Sequence, residues 1–136
     1  MSRRLARISS LGAMAVMFLP GCHPSNPLIG TWRLTQNIFG TPITMTRQFK
    51  TDGTESMTAG TSGAMTAEMT YSVEGNTLTE TVTSITVGGK TVNTVQPSQN
   101  SPKNMTETFL IDANKLTISK SSEGVQTSQI YDRVTQ

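Results

Sequence analysis

The sequence predicts one all-β domain, a single antiparallel up-and-down β-barrel of about eight strands. Three observations support this fold class. The chain beyond its first 27 residues is rich in threonine and poor in leucine and alanine, which is typical of strands. Turn-forming residues recur about every eight to twelve positions. No window of about twelve residues shows the 3.6-residue apolar period of a helix. A two-sheet sandwich is the alternative, but a sheet with this many strands hides its edges best by closing.

The N-terminus has the layout of a secretion signal. Arg3, Arg4 and Arg7 precede an apolar run at 11–19, as in a signal peptide with its basic and apolar regions. The run is shorter than the roughly 20 apolar residues that a membrane-spanning helix needs. We therefore expect residues 1–21 to form a signal peptide helix that is removed from the mature protein.

The apolar run ends in Leu19-Pro20-Gly21-Cys22, which resembles the lipobox of bacterial lipoproteins. Cys22 is the only cysteine, so a disulfide within the chain is excluded. The resemblance implies that Cys22 becomes the lipidated N-terminus and that acyl chains such as palmitate anchor it in the membrane. Residues 22–27 contain two prolines and predict a short tether. His23 follows Cys22, which resembles an outer-membrane sorting signal facing the periplasm rather than an inner-membrane one.

Charge and composition exclude several classes of protein. Loss of the three signal arginines takes the formal net charge from +2 to −1, so nothing indicates a nucleic-acid partner. His23 is the only histidine, and no metal cluster, phosphate loop or Gly-x-Ser-x-Gly motif is present. We expect a monomer without metal or cofactor that is not an enzyme.

Residues 28–136 form the predicted barrel domain. Its strands are separated by turn signals such as Asp52-Gly53 and Gly88-Gly89. The apolar phase of one strand shifts between Val82 and Ile85, which predicts a β-bulge. Two longer loops are expected at 59–64 and 96–104. The predicted strands are 30–36, 43–50, 55–58, 65–73, 77–87, 91–95, 105–111, 115–120 and 125–134.

Four short motifs resemble the lipocalin-like families and bacterial lipoproteins of similar length. They are the Gly-x-Trp of Gly30 to Trp32, the Phe-x-x-Asp-Gly-Thr of 49–54, the segment 71–78 with its Gly-Asn, and Tyr131-Asp132-Arg133. The resemblance spans Leu28 to Val134 and implies a barrel. It also implies that Arg133 stacks on Trp32 to close one end, a structural role worth about 1 kcal/mol.

Strand alternation predicts an interior that is rich in methionine. Methionine adapts its shape to varied apolar guests, although filling a core is its commoner use. We expect Arg33, Arg47 and Lys50 to lie outside. The apolar residues predicted to line the interior or a cavity are Met45, Phe49, Met65, Met69, Tyr71, Met105 and Phe109.

Two carboxylates, Glu80 and Glu107, alternate in phase with apolar neighbours and have three interpretations. They are polar anchors that orient an amine or hydroxyl of a ligand, or an acid-base pair within about 10 Å across a pocket, or solvated groups near the barrel mouth. The third is the commonest outcome, because a one-residue slip in strand phase reverses the face.

Two functions remain open at this point. The first is a lipid-anchored envelope protein that holds a small apolar or amphipathic ligand in its barrel. The second is an envelope-structural, inhibitory or partner-binding module that acts through the loops at 59–64 and 96–104. An open apolar cavity favours the first and a filled barrel the second.

Overall fold

A computed structural model describes residues 26–61, 64–93 and 104–135 of the chain. The signal segment, Cys22 and most of the predicted tether and of the loop at 96–104 lie outside the described residues. Described residues form nine strands and no helix, and none of their elements is a helix that could span a membrane. The strands are β1 (Gly30–Ile38), β2 (Thr41–Phe49), β3 (Thr54–Gly60), β4 (Met65–Glu74), β5 (Thr77–Val87), β6 (Lys90–Asn93), β7 (Met105–Asp112), β8 (Lys115–Ser122) and β9 (Val125–Arg133).

Eight of these strands close into an antiparallel barrel, which confirms the predicted fold class. The ring runs β1, β2, β3, β4, β5, β7, β8, β9 and back to β1. The ninth strand, β6, is an addition to the edge of β5. There, β7 pairs with Thr77 to Glu80, and β6 pairs with Ser84 to Val87. The β5–β6 hairpin therefore extends the wall beyond the start of β7.

The predicted β-bulge lies in β5 at Thr83. Its neighbours Val82 and Ser84 oppose Met69 and Glu68, so Thr83 is the extra residue. The Thr83 hydroxyl donates a hydrogen bond to the Glu68 carbonyl at 2.9 Å. A bulge re-aims the side chains that follow it, so Ile85 faces the interior although it lies three positions after Val82.

One end of the barrel is closed by a compact aromatic and aliphatic core. Trp32 Nε1 donates a hydrogen bond to the Leu28 carbonyl at 2.8 Å, which ties the segment before β1 across this end. The fully buried apolar side chains here are those of Leu28, Trp32, Phe49, Leu78, Leu116 and Tyr131. We call this the closed end.

Arg133 lies over Trp32 at the closed end. Its guanidinium carbon is 4.1 Å from the centre of the Trp32 ring, a cation-π distance. The guanidinium also donates to the carbonyls of Ile29 at 3.2 Å and Pro27 at 3.1 Å. Gly30 has φ of +130°, and a Cβ there would stand 3.0 Å from Arg133 Nη1, so this position suits only glycine.

The opposite end is open, because its hairpins are less completely joined. β1 pairs with β2 along its whole length but with β9 only at Trp32 and Arg33. We call this the open end.

The loop predicted at 59–64 begins two residues later in the structure, because β3 continues through Gly60, which pairs with Thr44 of β2.

We predict that Arg133→Met lowers the free energy of unfolding by about 2 kcal/mol, because it removes charged hydrogen bonds to two carbonyls together with the stacking on Trp32. Urea unfolding followed by Trp32 fluorescence measures the loss. Arg33→Met is the matched control, because Arg33 is the neighbouring arginine and is exposed; it should change stability by less than about 0.5 kcal/mol. Equal effects in the two variants would contradict the role given to Arg133.

Candidate binding site inside the barrel

Four charged side chains meet in the middle of the barrel. They are Arg47 on β2, Glu55 on β3, Glu80 on β5 and Glu107 on β7. Each lies on the same face of its strand as the inward-facing apolar residues near it. The pleat that buries the core therefore also buries these charges. We call them the interior charge cluster.

Arg47 is the centre of the cluster. Its Nε donates to Glu55 Oε1 at 2.6 Å and its Nη2 donates to Glu55 Oε2 at 3.1 Å, a bidentate pair. The same Nη2 donates to Glu80 Oε1. The side chains of Arg47, Glu55 and Glu80 are all at least 95% buried. Such pairing is the condition under which buried charges are tolerated.

Glu107 is less completely satisfied. Its Oε2 is 3.6 Å from Arg47 Nη1, which is too long for a hydrogen bond. This oxygen is buried and has no hydrogen-bond partner among the described residues. The side chain retains 13% exposure, so Glu107 is the least buried member of the cluster. Glu107 is therefore the cluster member best able to accept a hydrogen bond from an additional donor.

The cluster contains three carboxyl groups and one guanidinium, and the pKa values of Arg47 and Glu55 are shifted by burial and by their neighbours. Burial acts to lower the pKa of Arg47, but its ion pair and hydrogen bond with Glu55, with smaller contributions from Tyr131 and Glu107, outweigh it, and the pKa is raised. Burial raises the pKa of Glu55, and the attraction of Arg47 opposes that rise only in part. Arg47 therefore stays charged, and the interior carries excess carboxyl groups.

Aromatic rings hold the Arg47 guanidinium on the closed-end side. Its carbon lies 5.0 Å from the Phe49 ring centre and 5.9 Å from that of Tyr131, both within cation-π range. The Tyr131 hydroxyl is 2.9 Å from Gln129 Oε1 and 3.1 Å from Met45 Sδ. These contacts join the charge cluster to the core below it and to a methionine above it.

Methionines line the barrel interior beside and beyond the cluster, with Met57 opposite Arg47 and Met69 opposite Glu55. Strand register places five of them facing inward, and four of the five are only partly buried. We call them the methionine layer: Met45, Met57, Met65, Met69 and Met105.

Apolar side chains continue beyond this layer to the rim of the open end. Ile38, Val87, Val92 and Val125 stand on the inward faces of their strands, yet they are 43 to 65% exposed. The interior is therefore filled at the closed end and accessible at the open end.

The structure brings together most of the residues that the sequence singled out. Phe49 and Phe109 belong to the core at the closed end. Tyr71 packs edge-on against Phe49, with ring centres 5.1 Å apart, and its hydroxyl donates to the Lys50 carbonyl. Met45, Met65, Met69 and Met105 lie in the methionine layer, and Glu80 and Glu107 lie in the charge cluster.

Two expectations were wrong. Arg47 was expected outside with Arg33 and Lys50, which are indeed exposed, but Arg47 is 4% exposed. Its position between inward-facing Met45 and Phe49 carried the signal, since alternate residues share a face. The solvated interpretation of the two glutamates fails for Glu80, which is 2% exposed.

Sequence reasoning missed Glu55 altogether. It lies in the strand that was predicted least strongly, and a glutamate is rarely fully buried. The turn at Asp52-Gly53 nevertheless sets the hairpin register that pairs Glu55 with Phe49, and that register places both side chains on the inner face.

Other chemistry finds less support among the described residues. No group of three or more histidine, cysteine, aspartate or glutamate side chains there could hold a metal ion. Glu80 and Glu107 are close, as an acid-base pair requires, but Arg47 lies between them. A surface depression of about 440 Å³ at the closed end is lined by residues that include Asn26, Pro27 and Tyr71, and it lies outside the barrel.

Comparison with known proteins leaves the argument to the structure itself. No family model matches the chain, and neither a curated protein nor a solved structure matches it.

We predict opposite effects on stability from two substitutions in the cluster. Arg47→Met leaves three buried carboxyl groups without a cation and should cost about 3 to 5 kcal/mol. The loss should shrink from about pH 8 to about pH 5, because burial raises the pKa of Glu55 and, without Arg47 to oppose that rise, protonation neutralises this carboxylate as the pH falls. Glu107→Gln removes a poorly paired buried charge and should gain about 1 kcal/mol. Urea unfolding at both pH values tests this, and destabilisation by Glu107→Gln would contradict the incomplete pairing.

Proposed function

We propose that this protein is a lipid-anchored envelope protein whose barrel binds a small amphipathic ligand in its open half. The observation that carries the proposal is the buried Glu107 Oε2, which accepts no hydrogen bond from the described residues and lies beside the partly buried methionine layer. The ligand would place an amine or hydroxyl on Glu107 and its apolar part against the methionines. This is the arrangement expected of a small-molecule site, with apolar walls and few polar anchors.

The energetics of such a site are sufficient for useful affinity. Each 100 Å² of apolar surface that the ligand buries contributes about 2.5 kcal/mol. A hydrogen bond to a charged group adds about 1.5 to 3 kcal/mol. Methionine side chains repack at low cost, so the site would accept related apolar shapes. Specificity would then come from the donor placed on Glu107.

The proposed anchor fits the orientation of the barrel. The described chain begins at Asn26, beside Tyr71, and Leu28 enters the closed end. Asn26 is four positions after Cys22 in the sequence, a reach of roughly 14 Å. Lipidated Cys22 would hold the closed end near the membrane and leave the open end accessible from the aqueous compartment.

A second candidate function is binding of a protein partner through the hairpin tips. The observation that favours it is Phe39, which is fully exposed at the tip of the β1–β2 hairpin. Phe39 also has φ of +50°, an uncommon conformation for a residue with a side chain. Such exposed aromatic residues are enriched among interface anchors.

Native mass spectrometry of the protein, purified from its own envelope without denaturation, tests the ligand proposal. We predict an added mass that disappears on denaturation and is greatly reduced in Glu107→Gln, which keeps the side-chain size but removes the charge. Phe39→Ser is the matched control and should retain the added mass. A bare protein mass in wild type, or equal occupancy in Glu107→Gln, would contradict the binding site proposed here.

Metabolic labelling with a clickable palmitate analogue tests the anchor separately. We predict label on the wild-type chain and none on Cys22→Ser, which should leave the membrane fraction. Label that survives in Cys22→Ser, or an unlabelled wild-type chain, would contradict lipidation at Cys22 without affecting the ligand proposal.

A further inference from the structure

The barrel wall has one incomplete seam. β1 and β9 pair at Trp32 with Arg133 and at Arg33 with Asp132. Beyond these positions, towards the open end, neither Leu34 to Ile38 of β1 nor Val125 to Tyr131 of β9 pairs across the seam with another described strand. Over the open half of the seam, the described residues of the two hairpins therefore share no backbone pairing.

The hairpin register identifies the unpaired backbone groups of β9. Glu123-Gly124 is a two-residue turn, and Ser122 pairs with Val125. In such a hairpin this first pair exchanges backbone hydrogen bonds, and every second pair does so thereafter. The hydroxyl groups of Ser119 and Ser128 lie 2.8 Å apart, as expected of the closer, non-bonded pairs. The backbone N–H and C=O groups of Gln126, Ser128 and Ile130 therefore point into the seam.

This edge lacks the features by which proteins usually protect an unpaired strand. Such features are charged side chains, prolines and bulges. Residues 125–131 contain no charged residue and no proline, and their pairing with β8 has no register shift. Val125 on the inner face is 63% exposed, and Ile130 on the outer face is 54% exposed. The edge thus offers both backbone partners and apolar side chains.

We propose that the β9 edge, Val125 to Tyr131, receives an extended segment of a partner protein as an added antiparallel strand. The segment would be five to seven residues long, with apolar side chains at the alternate positions that face inward beside Val125. The β1–β2 hairpin stands on the far side of the seam, so the body of a second barrel would meet it, whereas a single extended strand needs only the β9 edge. Addition of a strand to a sheet edge is an established mode of peptide recognition. The proposal is independent of any ligand inside the barrel.

The probe is a synthetic peptide with the sequence of residues 31–39, because β1 already pairs with β9 in this direction. It is titrated into the full chain, labelled with ¹⁵N, and followed by NMR. We expect saturable shifts of the Gln126, Ser128 and Ile130 amides. The control peptide carries N-methyl groups at the positions of Thr35 and Asn37, whose amides would face β9. It should bind at least about tenfold more weakly, since it loses two hydrogen bonds.

Ser128→Pro tests the edge from the protein side. It removes an N–H that points into the seam and leaves the backbone hydrogen bonds to β8 intact, although the side-chain hydrogen bond to Ser119 is lost, so it should weaken peptide binding at least about tenfold. Ile130→Lys gives a second test that keeps every backbone donor, because a lysine guards an edge against pairing. Absence of saturable shifts, or equal binding of the N-methylated peptide, would overturn the proposal even if Ser128→Pro does not fold.

Discussion

The burial of Arg47 is the constraint on which the interior of this barrel depends. A guanidinium cannot lose its charge, so it must be paired wherever the fold buries it. Glu55 and Glu80 satisfy most of its donors, and Phe49 and Tyr131 cover its faces. Four strands thus carry their charged residues to one height in the barrel, and their registers must agree for the cluster to form.

The cluster divides the barrel into two halves with different properties. Below it, Trp32, Tyr131 and Leu116 are fully buried, and Arg133 fixes this end by its contacts with Trp32 and the preceding backbone. Above it, the inward side chains become progressively more exposed towards the rim. The fully buried apolar core therefore lies in the closed half, and the apolar side chains of the open half are partly accessible.

The excess of carboxyl groups is difficult to explain by stability alone. One guanidinium can pair closely with two carboxylates, and Glu55 and Glu80 take those places. Glu107 adds a third carboxyl, and its buried oxygen accepts no hydrogen bond from the part of the chain that the structure describes. Functional sites often retain groups that cost stability, because the same groups bind a ligand. Glu107 fits that description better than any other charged residue described in the interior.

Sequence reasoning predicted the fold class, the bulge in β5 and four of the five inward-facing methionines, because period-2 alternation and turn residues carry that information directly. It failed at Arg47 and Glu55, because charged residues usually lie on the surface. Only the alternation of side chains along the strand indicated that these two face the interior. The pairing of β1 and β9 joins the two ends of the domain, so no local pattern could show that this seam is incomplete.

The central claim is that the interior charge cluster serves binding and is not required for folding. The most direct test replaces the whole cluster with apolar residues of similar size, in the variant Arg47→Met, Glu55→Leu, Glu80→Leu and Glu107→Leu. Buried ion networks replaced in this way often leave stability unchanged or raise it. Urea unfolding and native mass spectrometry on the same preparation should show a folded barrel, at least as stable as wild type, that has lost the added mass. A variant that does not fold, or one that keeps the added mass, would contradict the claim.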